Sequence, residues 1–275
     1  MRKLIVTVVC TWGISLLKAQ SVWLPVGPQQ AGGTYSTQFQ HVFTALHNQA
    51  ALAHISTVSA GVYAERRFML DATSLYAMAV AIPTSSGTFG LSVQHFGFDA
   101  FKQQKLGLAY GRTLGSKVSI GIQADYLAAS IQQYGRASTV TFEAGCLLHI
   151  TPQLHAGIHA FNPPARQLYK AGAQDIPVVY SAGLGYEVSG SLLFSAEVIR
   201  ETERPMTTRV MGEYRIIPQL SLQLGIATDP QLSGGGISFS WQSLRIFLSG
   251  SYHPQLGITP AAAIIWQQKK KETLL

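Results

Sequence analysis

The residues best able to do chemistry are three histidines close in sequence (His149, His155 and His159), an in-phase set at Ser249, Ser251 and His253, and a few charges between 143 and 215. A pair of imidazoles four residues apart suggests a metal centre. On a strand, however, such a pair stands about 13 Å apart at a rise of ~3.3 Å per residue, whereas one ion holds each imidazole at about 2 Å. His155 and His159 are therefore read with His149 as polar lining of an interior, and no metal is expected. A Ser–His nucleophile pair needs hydrogen-bond reach and a third, orienting group. Residues 234–253 contain Ser238, Ser240, Ser249, Ser251 and His253 but no acid, so no catalytic residue, no enzyme activity and no cofactor are expected. Cys146 is in phase with Phe142, Ala144 and Leu148 and reads as an inert thiol on an apolar face.

The charges are ordered by phase. Glu143 lies opposite Val140, Phe142 and Leu148, and Glu187 opposite Tyr186 and Val188. The apolar sets Leu192, Phe194, Ala196, Val198 and Val210, Tyr214, Ile216 leave Glu197, Glu201, Arg209, Glu213 and Arg215 on the other side. These seven charges form a lattice on one face, where acid and base of a hairpin meet. Two roles are open to it, a structural lattice stiffening a filled interior or a selectivity and binding surface.

The elements that must position these charges are strands. From about residue 56 the chain falls into segments of roughly 10 residues with apolar and small or polar residues alternating, the period of a strand. Leu106, Leu108 and Tyr110 oppose Gly107, Ala109 and Gly111; Val118, Ile120 and Ile122 oppose Ser119, Gly121 and Gln123. About fourteen strands are predicted between 56 and 268. Very short turns follow the even ones (Ser85-Ser86, Gly115-Ser116, Thr151-Pro152, Ser189-Gly190, Pro218-Gln219, Gln242-Ser243). Longer loops are predicted after the odd ones (98–104, 132–138, 162–176, 229–233). Strands of this length and tilt match a bilayer, and the turn asymmetry is that of outer-membrane barrels, with both termini periplasmic. The predicted fold is all-β, a closed antiparallel transmembrane β-barrel of about 14 strands. Tyr63, Tyr76, Phe89, Phe96, Tyr110, Tyr126, Tyr134, Tyr214, Trp241 and Trp266 fall mostly near strand ends or on the apolar phase and read as aromatic girdles.

Composition agrees. The chain is 47% hydrophobic and 12% charged, a balance that excludes disorder. A soluble β-sandwich would turn charges to water on one side of most strands, and these charges are too few. No apolar run of about 18 residues follows the N-terminus, which excludes a helical membrane protein.

Residues 1–19 read as a cleaved signal peptide, with Arg2 and Lys3 before the apolar Leu4–Leu17 stretch and Leu17-Lys18-Ala19 as cleavage site. Their removal takes three positive charges from the formal +7, leaving +4. Much of that remainder is the tail Lys269, Lys270 and Lys271, within a predicted basic periplasmic tail, 269–275. With no broad basic field, nucleic acid is not a partner.

Residues 20–55 do not alternate. They contain Val42-Phe43-Thr44-Ala45-Leu46-His47-Asn48-Gln49-Ala50-Ala51-Leu52-Ala53, which resembles the Asn-Pro-Ala-Gly-Leu-Ala signature before the first strand of the long-chain fatty-acid transporter (FadL-like) superfamily. That superfamily includes related Bacteroidetes proteins of type IX secretion (PorV/PorQ type). Asn48, Ala50, Leu52 and Ala53 match; Gln49 and Ala51 replace Pro and Gly. The resemblance implies an N-terminal plug (hatch) over 20–55, entering the lumen from the periplasmic side of a barrel spanning 56–268. It also implies an outer-membrane location, contact with outer-membrane lipid, and either an apolar small-molecule ligand to be transported or secretion-system proteins to be docked.

Overall fold

The computed structural model describes residue 23 and residues 27–133, 135–168 and 176–269. The signal-peptide segment, Tyr134, Lys270 and Lys271 lie outside the described residues. Among the described residues fourteen strands follow one another: β1 (Ser59–Arg66), β2 (Ser74–Thr84), β3 (Gly87–Phe98), β4 (Phe101–Leu114), β5 (Val118–Ile131), β6 (Gly135–His149), β7 (Leu154–Phe161), β8 (Val179–Ser189), β9 (Leu192–Glu201), β10 (Thr207–Ile217), β11 (Leu220–Thr228), β12 (Gln231–Trp241), β13 (Leu244–His253) and β14 (Gly257–Gln267). Each pairs antiparallel with its chain neighbours, and β14 closes onto β1 with Val62 opposite Ile264. Closure leaves no free edge and satisfies the backbone without water.

The alternation produces a barrel apolar on the outside. Leu106, Leu108, Ile122, Leu184, Leu224 and Ile226 are exposed on the outer wall, while Ser119, Gln123, Asp125, Thr141 and Glu143 on the same strands or their neighbours are buried inward. Water would not tolerate this arrangement; a bilayer requires it. Exposed aromatics gather towards both strand ends, with Phe89, Tyr186, Tyr214, Trp241 and Trp266 at the tight-turn end and Tyr76, Phe98, Tyr126 and Tyr252 at the other. Two residues assigned to the girdles face inward instead. Tyr63 and Phe96 are buried in the apolar interior, because β1 and β3 place them in phase with lumen residues.

Turns after the even strands are tight as expected, but the loops opposite are less uniform than predicted. Seventeen residues separate β7 from β8 and seven separate β1 from β2, but β3 and β4 are joined by Asp99-Ala100 and β11 and β12 by Asp229-Pro230. The segments taken for loops at 98–104 and 132–138 belong in part to strands, since β4 begins at Phe101 and β6 at Gly135; in β4 the inward, polar Gln103 masks the apolar alternation of a strand.

Residues 27–58 lie within the barrel as three short 3-10 turns, Pro28–Tyr35, Thr44–Leu46 and Gln49–His54, with connecting coil. Gly27 meets Tyr63 and Glu65 near the long-loop end, Gln38 reaches Gly190 at the tight-turn end, and Asn48 meets Gly145 midway before the chain enters β1. The segment thus runs from Gly27 near the long-loop end to the tight-turn end, where the chain enters β1. Its two sides differ. Val42, Phe43, Leu46, Leu52 and Ile55 form one apolar cluster with Tyr63, Ala77, Ala79, Ala81, Phe247, Ala263 and Ile265 of β1, β2, β13 and β14. Burying each large side chain there contributes roughly 1.5–3 kcal/mol. Around β5–β10 polar contacts are joined by a small apolar cluster of Tyr35, Ala50, Ala51 and Leu147.

Candidate functional site

Inward glycines let the segment press against the wall. A Cβ on Gly185 would lie 1.7 Å from the Tyr35 carbonyl oxygen, one on Gly145 2.0 Å from Asn48 Oδ1, and one on Gly121 2.3 Å from the Gln49 carbonyl carbon. Gly183 and Gly157 likewise receive the Tyr35 ring, and Gly90 receives Leu52. The sequence shows these glycines as the small phase of each strand; their role as a seat follows only from what lies against them.

The signature residues sit in this seat. Asn48 accepts a hydrogen bond from the Ala50 N–H (3.0 Å) and donates to the Ile158 carbonyl of β7 (3.1 Å). Ala50 and Leu52 are fully buried and Ala53 half-buried. Gln49, where the chain departs from the signature, donates through Nε2 to Glu143 at 2.5 Å.

Glu143 is the hub of the largest polar cluster. It pairs with Lys105, which also lies 3.7 Å from Asp125, and it takes the His159 imidazole at 2.9 Å and Gln123 Nε2 at 3.2 Å. Glu197 accepts from Tyr35 Oη (2.7 Å) and Arg209 (3.0 Å), the cross-strand acid–base contact placed by Arg209 lying opposite Glu197. Burial and the Glu197 charge push the Tyr35 phenol well above its usual range, keeping it a donor. Glu201 pairs with Arg204 at 3.2 Å. Glu213 takes Arg245 (2.8 Å) and Gln223 (2.9 Å). Arg215 pairs with none of these carboxylates: it donates to the Gln38 and Gly190 carbonyls at 2.6 and 3.0 Å and covers the Phe39 ring at 3.9 Å. Glu187 accepts from Ser36 Oγ (2.7 Å) and the Thr37 N–H (2.6 Å). Lys105, Asp125, Arg245 and Glu65 were missed; Lys105 and Asp125 were legible as charges in phase with lumen residues of their own strands.

His149 and His155 are cross-strand partners with Nδ1 atoms 3.0 Å apart, and His54 reaches His149 through Nε2 at 3.0 Å. Strand spacing along β7 could not show this contact, because register across strands makes it. Ser119 touches both His54 and His149 (3.0 and 3.1 Å), yet it is wholly buried, closed to an acyl substrate. Ser238 accepts from Arg245, and His253 caps its turn by accepting the Gln255 N–H. Cys146 is half-buried in the outward phase.

A cavity of about 140 Å³ lies at the long-loop side, with Trp23, Phe161, Val179 and Ile199 among its apolar walls. Glu65, Glu143, Glu197 and Glu201 also line it, as do Arg67, Lys105, Arg209 and Arg204, with which they pair. The described residues 162–168 and 176–178 lie beside this region. Asn162 joins them by donating to the Ile176 carbonyl (3.0 Å) and accepting from Thr141 Oγ1 (2.6 Å), and Leu168 and Ile176 join the Trp23 cluster.

No family model and no curated protein matches the chain. Solved structures do. The CymD monoaromatic hydrocarbon channel is similar over 90% of this chain and 99% of its own, with TM-score 0.66 and 11% identity. The P. putida toluene transporter TodX is similar over 84% and 95%, with TM-score 0.61 and 9% identity. A Pseudomonas aeruginosa FadL homologue is similar over 86% and 94%, with TM-score 0.58 and 12% identity. What the chain shares with these three proteins is their fold, a closed antiparallel barrel of fourteen strands.

Proposed function

We propose that the chain is a non-enzymatic outer-membrane barrel that transports small apolar molecules, with residues 27–55 as its plug. The observation that carries this reading is the 140 Å³ cavity between the plug and the long-loop end. Its volume is close to that of the engineered apolar cavity of about 150 Å³ that holds benzene. Glu65, Glu143, Glu197 and Glu201 on its wall pair with Arg67, Lys105, Arg209 and Arg204, so an apolar guest meets these ions already neutralised. The likeness to barrels named as hydrocarbon channels and a toluene transporter supports the same class of cargo, and the Asn48–Ala53 signature supports a place beside the fatty-acid transporters. The alternative, docking a type IX secretion component, finds no support in these likenesses.

Proteoliposomes tested with toluene and with glucose provide the check. Toluene uptake above that of empty liposomes, with glucose excluded and Trp23 fluorescence altered by toluene, is the expected result. Toluene uptake no faster than in empty liposomes sinks the transport reading.

A further inference from the structure

The tight-turn mouth of the barrel holds a cavity of about 610 Å³, larger than the one at the long-loop side. The turn residues Gly190, Ser191, Gln242 and Ser243 border it, and the rest of its wall comes from the N-terminal segment, β1 and β10–β14. Its charges differ from those at the other end. The long-loop cavity sets carboxylates beside its cations, whereas Arg215 of β10 and Arg245 of β13 line the tight-turn cavity with no Asp or Glu among its described lining residues. The two guanidiniums lie within electrostatic reach of each other.

Neither arginine is exhausted by its contacts. Arg215 donates from Nη1 to the Gly190 carbonyl and from Nη2 to the Gln38 carbonyl, both neutral acceptors. Arg245 spends Nε and Nη2 on Ser238 and Glu213. Each also stacks on a ring, Arg215 on Phe39 and Arg245 on Phe247, which occupies a face and leaves the N–H edge. Among the described residues Nε of Arg215 and Nη1 of Arg245 therefore remain open to a further acceptor. The carboxylates that balance these cations, Glu213 and Glu187, are buried and do not line the cavity. Glu213 is held by Arg245 and Gln223, and Glu187 by Ser36, Thr37 and Gln38. Two buried polar groups share the same wall. Ser59 and His41 are 1% and 6% exposed, both line the cavity, and Ser59 Oγ and His41 Nδ1 have no hydrogen-bond partner among the described residues. A buried polar group left in that state costs free energy that a ligand oxygen can return.

We propose that the tight-turn cavity is an oxyanion site, in which Arg215 and Arg245 hold a carboxylate or phosphate group and the Ser59 hydroxyl donates to one of its oxygens. A planar guanidinium edge matches the oxygens of either group, and charge-assisted bonds of this kind are roughly twice as strong as neutral ones. A cation entering here faces two positive charges with no acid beside it. An apolar guest strips water from both guanidiniums and returns nothing. The two ends of the lumen thus suit different chemistry, apolar at the long-loop side and anionic at the tight turns.

Titration calorimetry of the full-length protein in detergent, with inorganic phosphate at constant ionic strength, tests the site. Saturable binding to the wild type is expected, weakened about tenfold or more in Arg215→Gln. Arg215→Lys, which keeps the charge and loses the fork, is expected to fall between the two. Arg112→Gln, which removes an exposed charge from the tight-turn end of β4, is expected to bind as the wild type does. Competition by acetate extends the recognised group to carboxylates, and phosphate binding indifferent to acetate restricts it to phosphates. Heat-modifiable migration shows which variants are folded; if Arg215→Gln is not, Arg215→Lys and Ser59→Ala carry the comparison, each expected to bind more weakly than the wild type. Absence of saturable binding in the wild type, or an equal loss in the Arg112 and Arg215 variants, overturns the site whatever the result for toluene uptake.

Discussion

At the scale of single residues, the interior depends on ions that neutralise one another. Lys105 is buried between Asp125 and Glu143, and the Glu143 carboxylate in turn holds Gln49. Lys105→Met leaves two buried carboxylates facing each other with their cation gone, a loss of about 3–5 kcal/mol. The expected outcome is a clear drop in the temperature at which the folded band disappears in heat-modifiable gel migration. The triple change Lys105→Met, Asp125→Asn and Glu143→Gln should recover part of it, because the cost belongs to the uncompensated charges rather than to the missing attraction. Recovery would be absent if Lys105 served only to fill space.

At the scale of elements, the strands and the N-terminal segment fit through what the strands omit. β8 carries Gly183 and Gly185 where Tyr35 presses on it, and β5 and β6 carry Gly121 and Gly145 beneath Gln49 and Asn48. Gly185→Ala puts a methyl group 1.7 Å from a backbone oxygen, and a backbone cannot turn aside as a flexible side chain does. The barrel is expected to keep its gel migration while residues 33–38 lose protease resistance, at a cost of about 1–3 kcal/mol. Unchanged resistance at 33–38 would mean that the segment does not seat on β8.

At the scale of the molecule, the apolar outer belt and the packed interior make separate demands. The belt requires lipid or detergent, whatever fills the lumen. Deleting residues 27–55 is therefore expected to leave a heat-modifiable barrel in detergent but to raise conductance in planar bilayers well above the intact protein, since the apolar wall of β1, β2 and β14 loses its cover. Conductance no higher than that of the intact chain would show that the lumen is closed by something other than this segment.

The sequence by itself determined the wall. Period-two alternation, even strand number and scarcity of charge are local properties of a chain whose outer face meets lipid, so the antiparallel barrel and the inward phase of Glu143, Glu187, Glu197, Glu201, Arg209, Glu213 and Arg215 could be read along it. A polar lumen residue hid the true start of β4, because Gln103 looks like a loop residue until something lies inside. Only the tertiary structure decided which groups meet. Register across β6 and β7 joins His149 to His155, closure brings β14 to β1, and the returning segment sets Gln49 on Glu143, Tyr35 on Glu197 and Arg215 on backbone carbonyls. Such contacts span as many as 208 residues of chain, as between Ser59 and Gln267, a separation over which the spacing of residues along a strand carries no information about distance in space.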